Sequence, residues 1–529
     1  MLVINQLKVK IDANISDFKD VLVNKLRIGK DNILKYTILK KSIDSRKKDD
    51  ILFVYNVIVR VKNEEMVLRK KLANVEKYVI KNEKIDYSKF RFDKNKKVAV
   101  IGFGPAGMFS ALTFAQAGIN VSVFERGEEV DKRIKSVDKF TADRILNTES
   151  NIQFGEGGAG TFSDGKLTAR KKDARGKWLF RELVRAGAPE EILYIQNPHI
   201  GTDKLINVVK NIRKEIIKLG STINFDSKVS NIIPFENGIN ITVNNADIYF
   251  DYVVLAMGHS SRDTIEMLYN NKCDITQKPF AVGFRIEHQQ AKINKAQFGV
   301  NFDNPLLGAA EYKLTHQTKN KRGVYTFCMC PGGIVVPATS EEGMVVVNGM
   351  SEYSRDKVNA NSALLVTVDE KDFKSDHPLA GIEFQRDLER KAYALGGSNY
   401  NAPVQKVGDY LRNVKTTELG KVLPSYGVGV TYSNLRSVFS KEINEALTEA
   451  IVKLGNKLKG FSDADALLTG VESRSSSPIR VVRDNVTLQS TNFKNLYPTG
   501  EGAGYAGGIV SAAIDGIKVT EKVLDLLKL

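Results

Sequence analysis

Residues 98–126 read VAVIGFGPAGMFSALTFAQAGINVSVFER. A short apolar run, Val98 to Ile101, leads into Gly102, Gly104 and Gly107 at the G-x-G-x-x-G spacing. Apolar residues then recur at helical intervals through Met108, Ala111, Leu112 and Ala115. That order spells strand, tight turn, helix. The first glycine permits the turn, the second lets backbone approach a pyrophosphate, and the third lets helix and strand pack closely. Phosphates would meet the helix N-terminus, with Pro105 and Ala106 in its first turn, where unpaired N–H groups and the helix dipole favour an anion. A second apolar run, Ile119 to Phe124, ends in Glu125. It lies about 20 residues past the glycines, the place from which a carboxylate takes both hydroxyls of an adenosine ribose. The stretch therefore predicts a Rossmann-like βαβ unit that binds a dinucleotide, and an α/β fold built on it.

The chain has 529 residues, 42% hydrophobic and 26% charged, the balance of a soluble globular protein of several domains. No apolar run approaches the roughly 18 residues of a membrane span. The start, MLVINQLKVKID, has neither the apolar core of a secretory signal nor the Arg/Ser-rich character of a transit peptide, which predicts a cytoplasmic protein. Three cysteines, an odd number, argue against a disulfide framework and for a reducing compartment. Of the net charge of +16, residues 1–97 carry +12, from 25 Lys and Arg against 13 Asp and Glu. Either this is a Lys-rich solvated surface, or it receives an anionic partner such as RNA, an acyl carrier or a lipid headgroup.

Residues 1–90 read as a small basic α+β domain. Strands are expected at Leu2 to Ile11, Ile33 to Lys41 and Ile51 to Val61, with a helix over Ile15 to Arg27. Lys40 to Lys48 form a basic turn without interleaved aromatics or zinc-ligand spacing. Residues 81–97 have the polarity of a linker. The dinucleotide unit opens a second domain, 91–274, in which Arg126 follows the ribose acid and Arg133 could reach a diphosphate. Next comes FGEGGAGTFSDGKL, 154–167, with Gly157 and Gly158. It reads either as a backbone free to approach a flat ring or phosphate, or as a flexible surface loop. His199, in NPHIGTD, precedes a helix capped by Thr202 or Asp203, and is a turn hydrogen-bonder or a proton donor. A β-meander, Thr222 to Phe225 and Ile239 to Val243, is followed by a buried strand emptying at Gly258 into the polar cluster His259 to Asp263. Ligands gather at that end of strands in open α/β sheets.

Residues 275–475 break this pattern. Strand-like runs at 280–286, 323–328, 334–337, 344–349 and 363–368, with helices near 383–395 and 441–458, predict a mixed α+β domain inserted into the dinucleotide fold to cover a substrate. Arg285 reads as an anion clamp or a salt bridge near Glu287. Cys328 and Cys330 fall on one face of a strand. They read as small core residues or as thiols near a redox centre; a metal would need two more ligands, and Cys273 has no partner motif. Residues 476–529 return to the first fold. There, Thr499-Gly500-Glu501 and Gly507-Gly508-Ile509 lead into a helix to Leu527, aiming a second helix N-terminus at the same pocket.

Together, GFGPAG with Glu125-Arg126, the strand ending Ala256-Met257-Gly258, and Thr499-Gly500-Glu501 resemble the three FAD-contacting segments of glutathione-reductase-like flavoproteins. FGEGGAGTFSDGKL, NPHIGTD, AMGHSSRD, FCMCPGG, VESRSSSPIR and YPTGEGAGYAGGI resemble, more closely, bacterial FAD-dependent dehydrogenases of largely unknown substrate. The resemblance spans roughly residues 97–529 and extends more loosely over the N-terminal domain. It implies that Gly102, Gly104 and Gly107 hold the FAD diphosphate and Glu125 the adenosine ribose. Gly500 and Glu501 would hold the diphosphate and ribityl side, and Gly507 to Ile509 the flavin ring. Two departures stand out: Glu501 replaces the usual Asp, and neither a second NAD(P)H-binding glycine unit nor the disulfide reductases' Cys pair is visible.

The expectation is thus a FAD-dependent oxidoreductase moving hydride through flavin N5. Its electron partner would be a small molecule or protein, NAD(P)H would dock transiently, and His199 and His259 are the candidate proton donors. The alternatives are an RNA-associated flavoprotein and a FAD-bound assembly factor without turnover.

Overall fold

The computed structural model describes residues 1–11, 17–79, 87, 90–168 and 173–529. Its organising layer is a five-stranded parallel sheet of Leu496–Pro498, Tyr252–Leu255, Val98–Ile101, Val121–Phe124 and Thr222–Asn224, side by side in that order. Val98–Ile101 is buried throughout, as a parallel strand covered on both faces must be. On one face lie the helices Pro105–Gln116 and Ile509–Leu527, which approach so closely that a Cβ on Gly516 would stand 2.2 Å from the Ala106 carbonyl oxygen. The hydroxyls of Ser110 and Thr520 bond between them at 2.7 Å.

The second large sheet has seven strands, ordered Thr315–Gln317, Gly323–Cys330, Asn359–Val368, Phe280–Gln289, Leu467–Glu472, Ala402–Lys406 and Val430–Tyr432. All its pairs are antiparallel except the last. Phe280–Gln289 is nearly all buried and reads as an unbroken apolar and polar mixture, so alternation could not mark its two faces. Helices Ala380–Leu395 and Lys441–Lys457 cover this sheet with apolar stripes such as Ile443, Leu447, Ile451 and Leu454. Where the chain enters and leaves the second sheet, Ile275–Gln277 pairs antiparallel with Ile479–Val481.

The N-terminal sheet is ordered Ile33–Asp44, Leu52–Val61, Leu2–Lys10 and Val75–Lys77. Helix Phe18–Leu26 packs on it, and a short helix, Glu64–Arg69, and the fourth strand extend the expected pattern. Part of the expected basic turn is strand, because Ile33–Asp44 pairs with Leu52–Val61 as far as Asp44, through register shifts at Ile33/Lys35 and Ile38/Lys40. Its cations stay mostly at the surface while making local contacts: Arg46 pairs with Asp44, Lys48 donates to the Ala296 carbonyl, and Lys41 rests over the Phe53 ring. Most of the expected linker, 81–97, lies outside the described residues up to 89. Its end is held by the C-terminus, where Asp93 N–H donates to Leu527 and Leu529 N–H to Arg91.

Two expectations are corrected. Thr222–Asn224 is the edge of the parallel sheet rather than part of a meander, while the meander is Val229–Phe235, Gly238–Val243 and Ala246–Phe250. The helix after His199 runs Thr202–Lys218, so Gly201 stands at the cap; Asp203 accepts instead from the N–H of Tyr353.

His288, in the middle of this second sheet, gives the fold a pH dependence. Its Nε2 donates to the Phe461 carbonyl at 2.8 Å, and burial pushes its pKa down to about 4 from an ordinary 6.5. Between those values the unfolded chain binds the proton and the folded chain does not. Its contribution is therefore complete above pH 6.5 and is lost as pH falls toward 4, by at most about 3 kcal/mol. Urea unfolding between pH 4 and 6.5 is expected to show a steeper acid loss of stability in the wild type than in His288→Gln.

Candidate functional site

The carboxyl ends of Val98–Ile101, Tyr252–Leu255 and Leu496–Pro498 open into one cleft, partly open to solvent, with a cavity volume of about 250 Å³. Its first wall is the glycine turn. Gly102 holds φ at 95°, and a Cβ there would lie 2.6 Å from the Ala256 carbonyl oxygen. Gly104 is the N-cap of Pro105–Gln116 and supplies no side chain to the free N–H groups of its first turn. Gly158 crosses over this turn so closely that a Cβ on it would be 2.9 Å from the Gly104 Cα. Ile509–Leu527 likewise starts at Gly508 without a side-chain cap, so both helix N-termini reach the cleft bare.

A network of charges builds one end. Glu125 is buried, and its carboxylate accepts from the N–H groups of Phe103 at 2.7 Å, Gly127 at 3.0 Å and Gly155 at 3.0 Å. Two carboxylate oxygens offer about four acceptor sites, so one is left for a ligand. Arg126 grips Asp263 with two bonds of 2.8 and 2.9 Å, reaches Glu149 at 2.7 Å, and lies 4.1 Å over the Phe154 ring. Burial opposes the charge on Asp263, yet Arg126 and Lys228 hold its carboxyl well below the usual range.

The opposite wall comes from the seven-stranded sheet. Arg474 donates to both Glu389 oxygens, at 2.9 and 2.7 Å, and to the hydroxyls of Ser260 at 3.0 Å and Ser340 at 2.6 Å. Arg262 holds the same Glu389 from the other side at 2.7 and 3.0 Å. Arg285 pairs with Glu472, at 3.1 and 3.0 Å, rather than with Glu287, whose carboxyl bonds Ser425 and Asn359. Burial raises the Glu472 carboxyl, with Arg285 opposing. A bulge between Phe327 and Cys330 overturns the expectation of two thiols on one strand face: Cys328, at φ 40°, is exposed, whereas Cys330 is buried and its thiol raised by burial.

Of the residues expected at a cofactor, the cleft is lined by Gly102, Gly104, Pro105, Ala106, Glu125, Arg126, Gly158, Gly258, Glu501, Gly507, Gly508 and Ile509. Four others stand behind it. Gly107 gives close packing, since a Cβ there would fall 1.9 Å from the Gly102 carbonyl oxygen. Gly157 donates its N–H to Phe103, and Gly500 donates to Asp515 at 2.9 Å. Arg133 does not reach out to a diphosphate: fully buried, it donates to the carbonyls of Asn151, Ile152, Glu156 and Gly158. Of the two histidines, His259 lines the cleft. His199 does not; its Nε2 donates to the Tyr353 carbonyl at 3.1 Å, its ring stacks on Tyr353, and burial lowers its pKa, with Arg355 adding to the effect. Sequence reading missed Asp164, Lys166, Asn348, Glu472 and Arg474 as cleft residues. The last two lie in VESRSSSPIR, whose density of polar groups at the end of a buried strand was the available signal.

A family described as "FAD-dependent protein, C-terminal domain-like" matches residues 279–475, and a domain of unknown function matches 1–60. An uncharacterized protein of Clostridium beijerinckii (strain ATCC 51743 / NCIMB 8052) is 49% identical over 533 residues, covering 99% of this chain and 98% of that one. Among solved structures, glycine oxidase from Geobacillus kaustophilus is similar at 10% identity and a TM-score of 0.35, over 82% of this chain and 93% of that one. CtdE in complex with FAD is similar at 12% identity and a TM-score of 0.31, over 81% and 84%.

Glu389 supplies a test of how the cleft is held. Glu389→Ala leaves two buried guanidiniums facing each other, and is expected to cost about 3–5 kcal/mol of unfolding free energy in urea titration.

Proposed function

We propose that this chain, whose residues 279–475 match a family of FAD-dependent proteins, is an oxidoreductase that binds FAD non-covalently in the cleft and exchanges hydride with a substrate seated against the second sheet. One observation carries the reading: a single cleft runs from the glycine turn and both uncapped helix N-termini to the wall formed by 327–330 and 472–475. The cradle fits the cofactor, because a Cβ added at Gly258, Gly507 or Gly508 would meet nothing within 4 Å. Bound FAD supplies hydride transfer at its N5. The chain supplies the rest. The helix N-termini favour the diphosphate, the remaining acceptor of Glu125 takes the ribose, and the paired walls keep the reacting groups apart from water.

In this reading the five-stranded sheet and the C-terminal helix form a glutathione-reductase-like FAD domain, and 275–475 is the substrate domain. NAD(P)H, if it is the donor, docks transiently at the ring. Reconstitution with FAD followed by desalting is expected to leave a yellow protein that is bleached anaerobically by NADH or NADPH. A protein left colourless would overturn the reading, and a yellow protein inert to both would restrict it to an oxidase or another donor. Gly258→Leu separates site from fold: it is expected to leave the unfolding free energy of the apoprotein, from urea titration, within about 0.5 kcal/mol and to weaken FAD binding by at least about tenfold, read by fluorescence titration.

A further inference from the structure

His259 and Glu501 face each other where two strand ends meet. His259 follows Tyr252–Leu255 and Glu501 follows Leu496–Pro498. These turns touch: a Cβ on Gly502 would lie 2.0 Å from the Met257 carbonyl oxygen. Nδ1 of His259 lies 3.0 Å from Oε1 of Glu501. A carboxylate only accepts, so Nδ1 carries the hydrogen. The other nitrogen, Nε2, is buried and has no hydrogen-bond partner, although its residue lines the cleft. A buried polar atom left without a partner is a cost that a ligand can remove.

The position narrows the ligand. A Cβ on Gly500 would stand 2.8 Å from Cβ of Ala106, in the first turn of the helix that begins the glycine cradle. Beyond Glu501, Gly507 and Gly508 lead into the second helix. His259 therefore lines the same cleft as the first residues of both helices. Resting on the FAD reading, we propose that Nε2 of His259 is the contact for a hydroxyl of the polyol that joins the diphosphate of FAD to its ring. Glu501 is then a positioning residue that acts through His259. A hydroxyl both donates and accepts, so it satisfies Nε2 whether that atom offers a lone pair or an N–H. A phosphate oxygen satisfies only the N–H form. Glu501 lines the cleft too, and the bond between its Oε1 and Nδ1 gives it this positioning role whatever its second oxygen meets.

Calorimetric titration of the apoprotein with FAD and with ADP tests this. ADP keeps the diphosphate but lacks the polyol and ring. His259→Phe is expected to weaken FAD about tenfold and ADP by less than about twofold. Glu501→Ala is expected to repeat that pattern, and Glu501→Gln, which keeps an acceptor for Nδ1, to restore FAD binding to near the wild-type value. Retained ADP binding and an unchanged thermal midpoint show that each variant is folded. Equal losses for FAD and ADP would place His259 on the diphosphate and overturn the inference. Undiminished FAD binding by His259→Phe would overturn it alone, whereas a wild type that does not bind FAD overturns the cofactor reading as well.

Discussion

Glu389 lies fully buried between Arg262 and Arg474, 2.7 Å from each, and three parts of the chain meet on it. Arg262 opens the helix that follows the parallel strand Tyr252–Leu255, Glu389 belongs to a helix over the second sheet, and Arg474 follows the strand Leu467–Glu472. Taking three charges out of water is expensive, and their attraction offsets that cost only with good geometry and further hydrogen bonds. Here the further bonds are present: Ser473 donates to Glu389 at 2.6 Å, and Arg474 engages Ser260 and Ser340. The carboxyl is accordingly held far below its ordinary range, against burial, by Arg262 and Arg474. A hydrophobic substitute could hold the sheets together, but it would not fix their separation so closely, because forked guanidinium bonds define direction as well as distance.

The same pairing recurs around the cleft. Arg126 has Asp263, Arg285 has Glu472, and Arg355 has Asp164 at 2.9 and 2.5 Å. Each guanidinium lies against a carboxylate of the chain itself. The consequence is a cleft whose walls are rigid and nearly neutral in their fixed pairs, with backbone N–H groups at the helix ends left to meet an anion. Such a division suits a large ligand with a concentrated charge at one point and uncharged surface elsewhere.

How much of this the sequence disclosed follows from how local each feature is. Val98–Ile101, Pro105–Gln116 and Val121–Phe124 form within 27 residues of chain, so apolar period, glycine spacing and terminal acid all report on one another. Thr222–Asn224 pairs with Val121–Phe124 from about a hundred residues away, and no local signal distinguishes that partner from the neighbouring meander. Cys328 and Cys330 illustrate a second limit. Alternation places both on one face, but one extra residue in a bulge turns the strand and exposes Cys328 alone. Glu389 was invisible for a third reason: on a helix it reads as a solvent-facing acid, and only its two distant partners make burial possible.

Arg133 shows why a plausible ligand residue can serve the site from behind. The segment 151–158 is buried but neither helix nor sheet supplies partners for its carbonyls, and buried backbone acceptors must be paired. Left-handed backbone at Gly155, Gly157 and Gly158 bends the segment around a single point. At that point the planar fork of Arg133 meets four carbonyls at 2.7 to 3.0 Å, and its Cζ lies 4.8 Å from the Phe162 ring centre. Burial pushes the guanidinium down to about 10, still charged at neutral pH. Lysine would bring a point charge without the fork, and could not satisfy the same set in one plane. The arginine and the glycines are thus parts of one device. The glycines bring Gly158 over Gly104, and Arg133 holds the carbonyls inward so that the loop presents this face to the cleft.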